Sequence, residues 1–131
     1  MRRRGYSAEY ILYRQVAYYL RAQYPEVMFH FDPTGLHLTK TQAGMLKGIQ
    51  GGKGWPDLFI AEGRHGFRGL FVELKAEGLK LYKRDGSFTS PHLKEQDDCM
   101  LDLERAGYQA VFAIGFDHAK KIIDDYLNKE E

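Results

Sequence analysis

The stretch GWPDLFIAEGRHGFRGLFVELK, residues 54–75, carries Asp57 at the head of one short apolar run and Glu73 and Lys75 at the tail of another. Charges embedded in apolar sequence need a reason, because an unpaired carboxylate is costly to take out of water. DLFIA (57–61) and GLFVELK (69–75) read as paired strands around the turn GRHG (63–66). Alternation along a strand puts Phe71, Glu73 and Lys75 on one face. With the hairpin folded about a centre near Gly66, Asp57 lies opposite Lys75 or close to it. Glu73 is then a diagonal neighbour, roughly 7–8 Å away at the backbone. Two carboxylates at that separation can converge on one ion. A hard divalent ion such as Mg2+, with oxygen ligands at ~2.0–2.1 Å, keeps several waters and leaves room for a phosphate oxygen. Such an ion acidifies a bound water and neutralises charge building on a phosphate. Lys75 would hold the attacking water or stabilise a phosphorane-like transition state. The pattern suits phosphodiester hydrolysis. The structural alternative is that Asp57 merely starts a strand after Pro56, with Glu73 and Lys75 on the solvated face of an edge strand.

Two more polar residues fall where apolar ones are expected. Glu9 lies on the stripe of the first helix, one turn before Leu12 and two before Val16, so its side chain is expected to point inward. The alternative is a carboxylate that only favours the helix N-terminus electrostatically. Gln96 shares a stripe with Leu93, Met100 and Leu103 in a later helix. A buried amide needs partners, supplied either by a catalytic carboxylate, water or DNA backbone, or by an ordinary structural contact.

These residues must be positioned by a small set of elements. Ser7 caps a helix that runs to about Gln23, with Leu12, Val16, Tyr19 and Leu20 as its apolar stripe. Residues 27–31 read as a strand followed by a DPTG turn, and 41–49 as a short helix before the flexible GGKG approach at 51–54. Asp85-Gly86 predicts a two-residue hairpin turn within 81–89. Ser90 caps a helix with Pro91 in its first turn and a stop at Gly107. A buried strand over 108–115 and a helix capped by Asp117 and running to about Asn128 complete the order. The expected fold is α/β, a small mixed sheet flanked by helices.

Composition limits the options. The 131 residues suit one domain with a hydrophobic core, and 44% apolar with 28% charged is ordinary for a globular protein. No run approaches the ~18 apolar residues of a membrane span, and the basic start lacks the apolar segment of a secretory signal. The single cysteine, Cys99, rules out an internal disulfide, fits a reducing compartment and has no base partner that would make it a nucleophile. A net charge of +1 means that any attraction for nucleic acid must come from a local patch. The five histidines show no zinc-ligand spacing, and His65 and His92 are expected at the surface. Tyr10, Tyr13, Tyr18 and Tyr19 crowd one helix, so some must lie outside its stripe, as at an interface.

Taken in order, Glu9, KGWPDL (53–58), VELKAEG (72–78), SPHLKEQ (90–96) and AGYQAVFAIGFDHA (106–119) resemble the PD-(D/E)xK nuclease superfamily, and within it the VRR-NUC (virus-type replication-repair nuclease) domain. The resemblance spans almost the whole chain, as one domain over 1–131 with a basic arm at 1–6 and a basic hairpin insertion at 79–90. It implies a restriction-endonuclease-like core and a Mg2+ or Mn2+ ion. The ion's ligands would be Asp57, Glu73 and the Leu74 carbonyl, with Glu9 completing the site through a metal-bound water. Lys75 would be the catalytic lysine and Gln96 the motif glutamine. Trp55 departs from the pattern, since relatives often carry a smaller residue before Pro-Asp, which leaves the lining of the site open. Standalone relatives are typically phage or bacterial, act as homodimers and cut branched DNA such as four-way junctions. The implied setting is the cytoplasm of a bacterial or phage-infected cell.

Arg2, Arg3, Arg4, Lys47, Lys53, Lys80, Lys83, Arg84 and Lys94 are candidates for phosphate contacts, or else ordinary solvated surface charges. The 80–84 cluster beside the site leans towards DNA. Two rival readings keep the fold without the chemistry: a non-catalytic DNA-binding module, and a structural subunit of a repair assembly.

Overall fold

The computed structural model describes residues 5–128, so Arg2, Arg3 and Arg4 lie outside the described residues. The first helix, α1 (Ala8–Gln23), begins at Ser7, whose side chain accepts from the Tyr10 N–H at 3.1 Å. Its buried stripe is Leu12, Tyr13, Val16 and Leu20. Tyr13 is thus a core residue rather than a surface one, while Tyr19 is only half-buried against the core. Strand β1 (Phe29–Phe31) is shorter than expected and leads into a 3-10 turn at Pro33–Gly35, capped by Asp32. Helix α2 (Lys40–Lys47) is closed by a reciprocal capping box between Thr39 and Gln42, and it buries none of its residues.

Strands β2 (Leu58–Ile60), β3 (Leu70–Lys75) and β4 (Gln109–Ile114) complete a four-stranded sheet in the order β1-β2-β3-β4. The first two pairings are antiparallel and β3–β4 is parallel. Between β3 and β4 runs α3 (Pro91–Arg105), and α4 (Gly115–Asn128) follows directly on β4. The chain is therefore α/β, a mixed sheet with helices on both faces. One core joins α1 and α4 to Leu58, Ile60, Leu70, Val72 and Leu74. On the other face, Phe71 and Ala110 meet Met100 and Leu103 of α3. This division follows from alternation along β3, whose odd-numbered side chains face α3.

Three local expectations change. The β2–β3 register pairs Leu58 with Val72 and Ile60 with Leu70. Extending it by one residue sets Asp57 across from Glu73 rather than Lys75. A tight turn, in which Arg64 and Phe67 exchange both backbone hydrogen bonds around His65-Gly66, moves the hairpin centre towards the N-terminus, and a one-residue offset between that turn and the strands completes the shift. His65 tolerates a φ of 56° there, with its Nε2 3.0 Å from the Tyr126 carbonyl oxygen. At 81–89, the Tyr82–Phe88 bridge and the 2.7 Å bond from Lys83 N to Ser87 O leave three loop residues, with Gly86 at φ 89°. The Asp85-Gly86 signal thus makes a three-residue turn, in which the glycine takes the left-handed position. Finally, α4 starts at Gly115, so Asp117 sits within its first turn and favours the helix dipole without capping it.

Helices α1 and α4 are tied by one carboxylate: Asp124 Oδ1 accepts from the Tyr19 hydroxyl at 2.5 Å and the Tyr24 hydroxyl at 2.7 Å. Replacing Asp124 with Ala strands both hydroxyls, and urea unfolding should show a loss of about 1–3 kcal/mol. A variant within a few tenths of wild type would show that the tie contributes nothing.

Candidate active site

The functional side chains gather where β2 begins and β3 ends, because the antiparallel pairing brings Asp57, just before Leu58, across from Glu73. Asp57, Glu73 and Gln96 are the buried polar or charged residues of the described chain, at 7%, 3% and 6% exposure. They border an open cleft of about 600 Å³ whose other walls come from the Asp32–Gly35 turn, α2, the 51–55 approach and the start of α3.

Asp57 is held from two sides. Its Oδ1 accepts from the Tyr13 hydroxyl at 2.5 Å, and its Oδ2 accepts from the Leu74 backbone N–H at 2.8 Å. Glu73 Oε2 accepts from the Gln96 amide at 2.9 Å and lies 3.2 Å from the Lys75 ammonium. The Gln96 nitrogen also sits 3.2 Å from His92 Nε2. Two buried acceptors, Glu73 Oε1 and Gln96 Oε1, have no hydrogen-bond partner. A buried carboxylate oxygen without a donor is costly, so Glu73 Oε1 fits a cation or a water that completes its shell. The donors present, two carboxylates, are oxygen, which suits a hard ion such as Mg2+ or Mn2+.

Burial and the neighbouring Asp57 charge push the Glu73 carboxyl up from 4.5 to about 9, against the pull of the Lys75 ammonium. Asp57 is also raised, by its burial, although the Tyr13 and Leu74 hydrogen bonds and Lys75 oppose the shift. The Tyr13 hydroxyl is driven well above the usual phenol range by its own burial and by Asp57. Burial and mutual repulsion thus favour a shared proton or a cation over two bare carboxylates.

Of the other expected site residues, Glu9 differs most. It is exposed at the rim of the cleft instead of pointing into the core. It stands one turn N-terminal to Tyr13, in the first turn of α1. Two of the three expected acids are thus in contact, and no group of three or more His, Cys, Asp or Glu side chains among the described residues converges as an ion cage. Lys47 and Lys53 line the cleft. Lys80, just before the 81–89 hairpin, and Lys83 and Arg84 on it are exposed and do not line the cleft, and Lys94 pairs with Asp98 at 2.6 Å. His92 lines the cleft although its side chain is largely exposed, whereas His65 stands away from it.

Two participants escaped the sequence reading. Tyr13 lies four residues after Glu9, a spacing that could have marked both for one end of the sheet. Gly35 backs onto the same point: a Cβ there would overlap the Tyr13 hydroxyl and approach Asp57 Oδ1 at 3.2 Å. Its place in a DPTG turn explained it as a turn residue and hid this contact.

No protein-family model matches the sequence, and no curated protein matches it. A solved structure described as a "VRR_NUC domain protein" is similar in fold, with a TM-score of 0.63 and 24% sequence identity over 96% of this chain and 92% of that one. The chain shares that fold, in agreement with the α/β architecture and the resemblance seen in its motifs.

Two predictions follow from the carboxylate pair. A folded-state value above the unfolded one stabilises most below the unfolded value and is lost as pH rises. The metal-free protein should therefore lose stability between pH 4.5 and about 9 by a component that Glu73→Gln abolishes, read by urea midpoints across that range. An identical pH slope in both proteins would show that Glu73 is not shifted. Gly35→Ala should cost about 1–3 kcal/mol in wild type by displacing the Tyr13 hydroxyl, and clearly less in a Tyr13→Phe background. Equal costs in the two backgrounds would rule out the overlap.

Proposed function

We propose that the chain is a divalent-metal-dependent DNA endonuclease that hydrolyses phosphodiester bonds. The observation that carries this reading is the pairing of buried Asp57 and Glu73 beside Lys75 on the floor of an open cleft, with Glu73 Oε1 lacking any donor. The fold shared with a structure whose name carries the nuclease domain supports it.

Asp57, Glu73 and the Leu74 carbonyl would hold Mg2+ or Mn2+, with Glu9 acting from the rim through a water. When bound, the ion supplies Lewis-acid neutralisation of the phosphate and acidification of water. The protein's own groups do the rest. Tyr13 and the Leu74 N–H fix both Asp57 oxygens. Gln96 fixes one Glu73 oxygen and leaves the other free to ligate. Lys75 orients the attacking water and stabilises negative charge on the phosphorus oxygens. Lys47 and Lys53 meet backbone phosphates along the cleft. The water oxygen bonds to phosphorus in line and gives up one proton to solvent, the phosphorus–oxygen bond to one deoxyribose breaks, and the departing oxygen takes a proton from solvent. No covalent enzyme intermediate forms.

The finer reading, a homodimer that sets two sites on two strands of branched DNA, rests on the motif resemblance. The exposed 80–84 cluster is then a second phosphate contact outside the cleft.

The test is cleavage of duplex, flap, fork and four-way-junction DNA with Mg2+, Mn2+ or EDTA. Wild type should cut with metal alone. Asp57→Ala and Lys75→Ala should fold, bind DNA and lose at least about 100-fold in rate. Mn2+ should raise the melting temperature of wild type but not of Asp57→Ala. Unchanged cutting by Asp57→Ala would remove the site assignment.

A further inference from the structure

Trp55 is the single tryptophan of the chain, and it is 38% exposed only two residues before Asp57. Core packing does not explain so large an open ring beside buried carboxylates. Next to it a second hollow of about 320 Å³ opens, walled by Trp55, His30, Phe59 and Phe71. This hollow shares Asp32, Gln50, Trp55 and Asp57 with the main cleft, so the two adjoin. Phe59 and Phe71 stack with centroids 4.5 Å apart, and Trp55 meets Phe71 edge-on at 5.9 Å. The Gln50 amide, the exposed His30 ring and the Asp32 carboxylate supply a polar rim.

The Trp55 backbone is also held. Gly54 has a φ of 79°, and a Cβ there would press to 2.9 Å from the Glu95 carbonyl oxygen, so the chain runs close against α3. Pro56 fixes φ on the other side. An aromatic face pre-positioned in this way binds a flat partner with little loss of side-chain freedom.

We propose that Trp55 and the aromatic hollow beside Asp57 receive an unpaired nucleobase next to the phosphate engaged by Asp57 and Glu73. This deepens the nuclease reading and rests on it for the position of that phosphate. Bases present flat π-faces and polar edges, which match aromatic walls with a polar rim. A base stacked inside a duplex cannot enter a hollow at the level of its own backbone, whereas a base at a fork, flap or junction can. Trp55 is therefore a specificity residue: it selects DNA with an unpaired nucleotide beside the cut.

Because Trp55 is the chain's one tryptophan, intrinsic fluorescence reports on it directly. The full chain in EDTA is titrated with a fork carrying unpaired thymines and with a duplex of equal length, with binding followed by anisotropy of a labelled strand. The fork should quench Trp55 at saturation and the duplex should not. A 2-aminopurine at the unpaired position should change emission on binding wild type and Trp55→Phe, but not Trp55→Ala. With Mg2+, Trp55→Ala should lower the fork-to-duplex ratio of cleavage rates roughly tenfold, and Trp55→Phe should keep most of it. Equal quenching by both DNAs, no quenching at saturation, or an unchanged ratio in Trp55→Ala would overturn the pocket while leaving the nuclease reading intact. Fork-specific quenching by a protein that cuts no DNA would uphold the pocket and remove the nuclease reading. Absence of binding to either DNA would remove both.

Discussion

Two carboxylates, Asp57 and Glu73, lie buried against each other at the end of a hairpin, and much of the neighbouring structure compensates for that placement. Like charges in low dielectric repel, and each alone resists desolvation. The protein answers with a phenol hydroxyl from α1, a backbone N–H from β3, an amide from α3 and an ammonium from β3. These donors come from three parts of the fold, so the pair links α1, the sheet and α3 at one point. The shell stays incomplete at Glu73 Oε1, and that gap makes the site chemically useful in the proposed reaction.

The fold makes such a point available through its topology. The antiparallel β2–β3 pair brings the two acids across from each other, and the parallel β3–β4 pair sends the chain over one face through α3. That crossover delivers Gln96 to Glu73. On the opposite face, α1 delivers Tyr13. The 33–54 segment then closes the cleft from the side with little buried surface of its own, and its small residues let backbone approach the carboxylates closely. Gly35 is the clearest case, since even one methyl group there would collide with the Tyr13 hydroxyl.

Polarity out of place was the most legible signal in the sequence. Leu93, Gln96, Met100 and Leu103 stand at helical spacing, and all four are buried as that spacing requires. Asp57 and Glu73 interrupt apolar runs, and both are buried. Glu9 gave the same kind of signal but is exposed, because it sits in the first turn of α1, ahead of the helix's first buried residue, Leu12. Tyr13 was ambiguous, since a tyrosine among four on one helix fits a surface, an interface or a core equally well. The hairpin register erred by the smallest shift that keeps both acids on one face, because it depends on the turn at His65-Gly66 and on a one-residue offset between that turn and the strands.

By itself the sequence determined the element order, the α/β class, the faces of α3 and β3, and the apolar setting of Asp57 and Glu73. Those follow from local periodicity and from turn and capping chemistry, which act over a few residues. Only the tertiary structure decided that Tyr13 and not Glu9 touches Asp57, that Gln96 spends its amide on Glu73, and that Trp55 stands open between the cleft and an aromatic hollow. Each of these depends on contacts between segments far apart in the chain. Their distances are set by how the sheet twists and where each helix ends against it, and no local pattern encodes that.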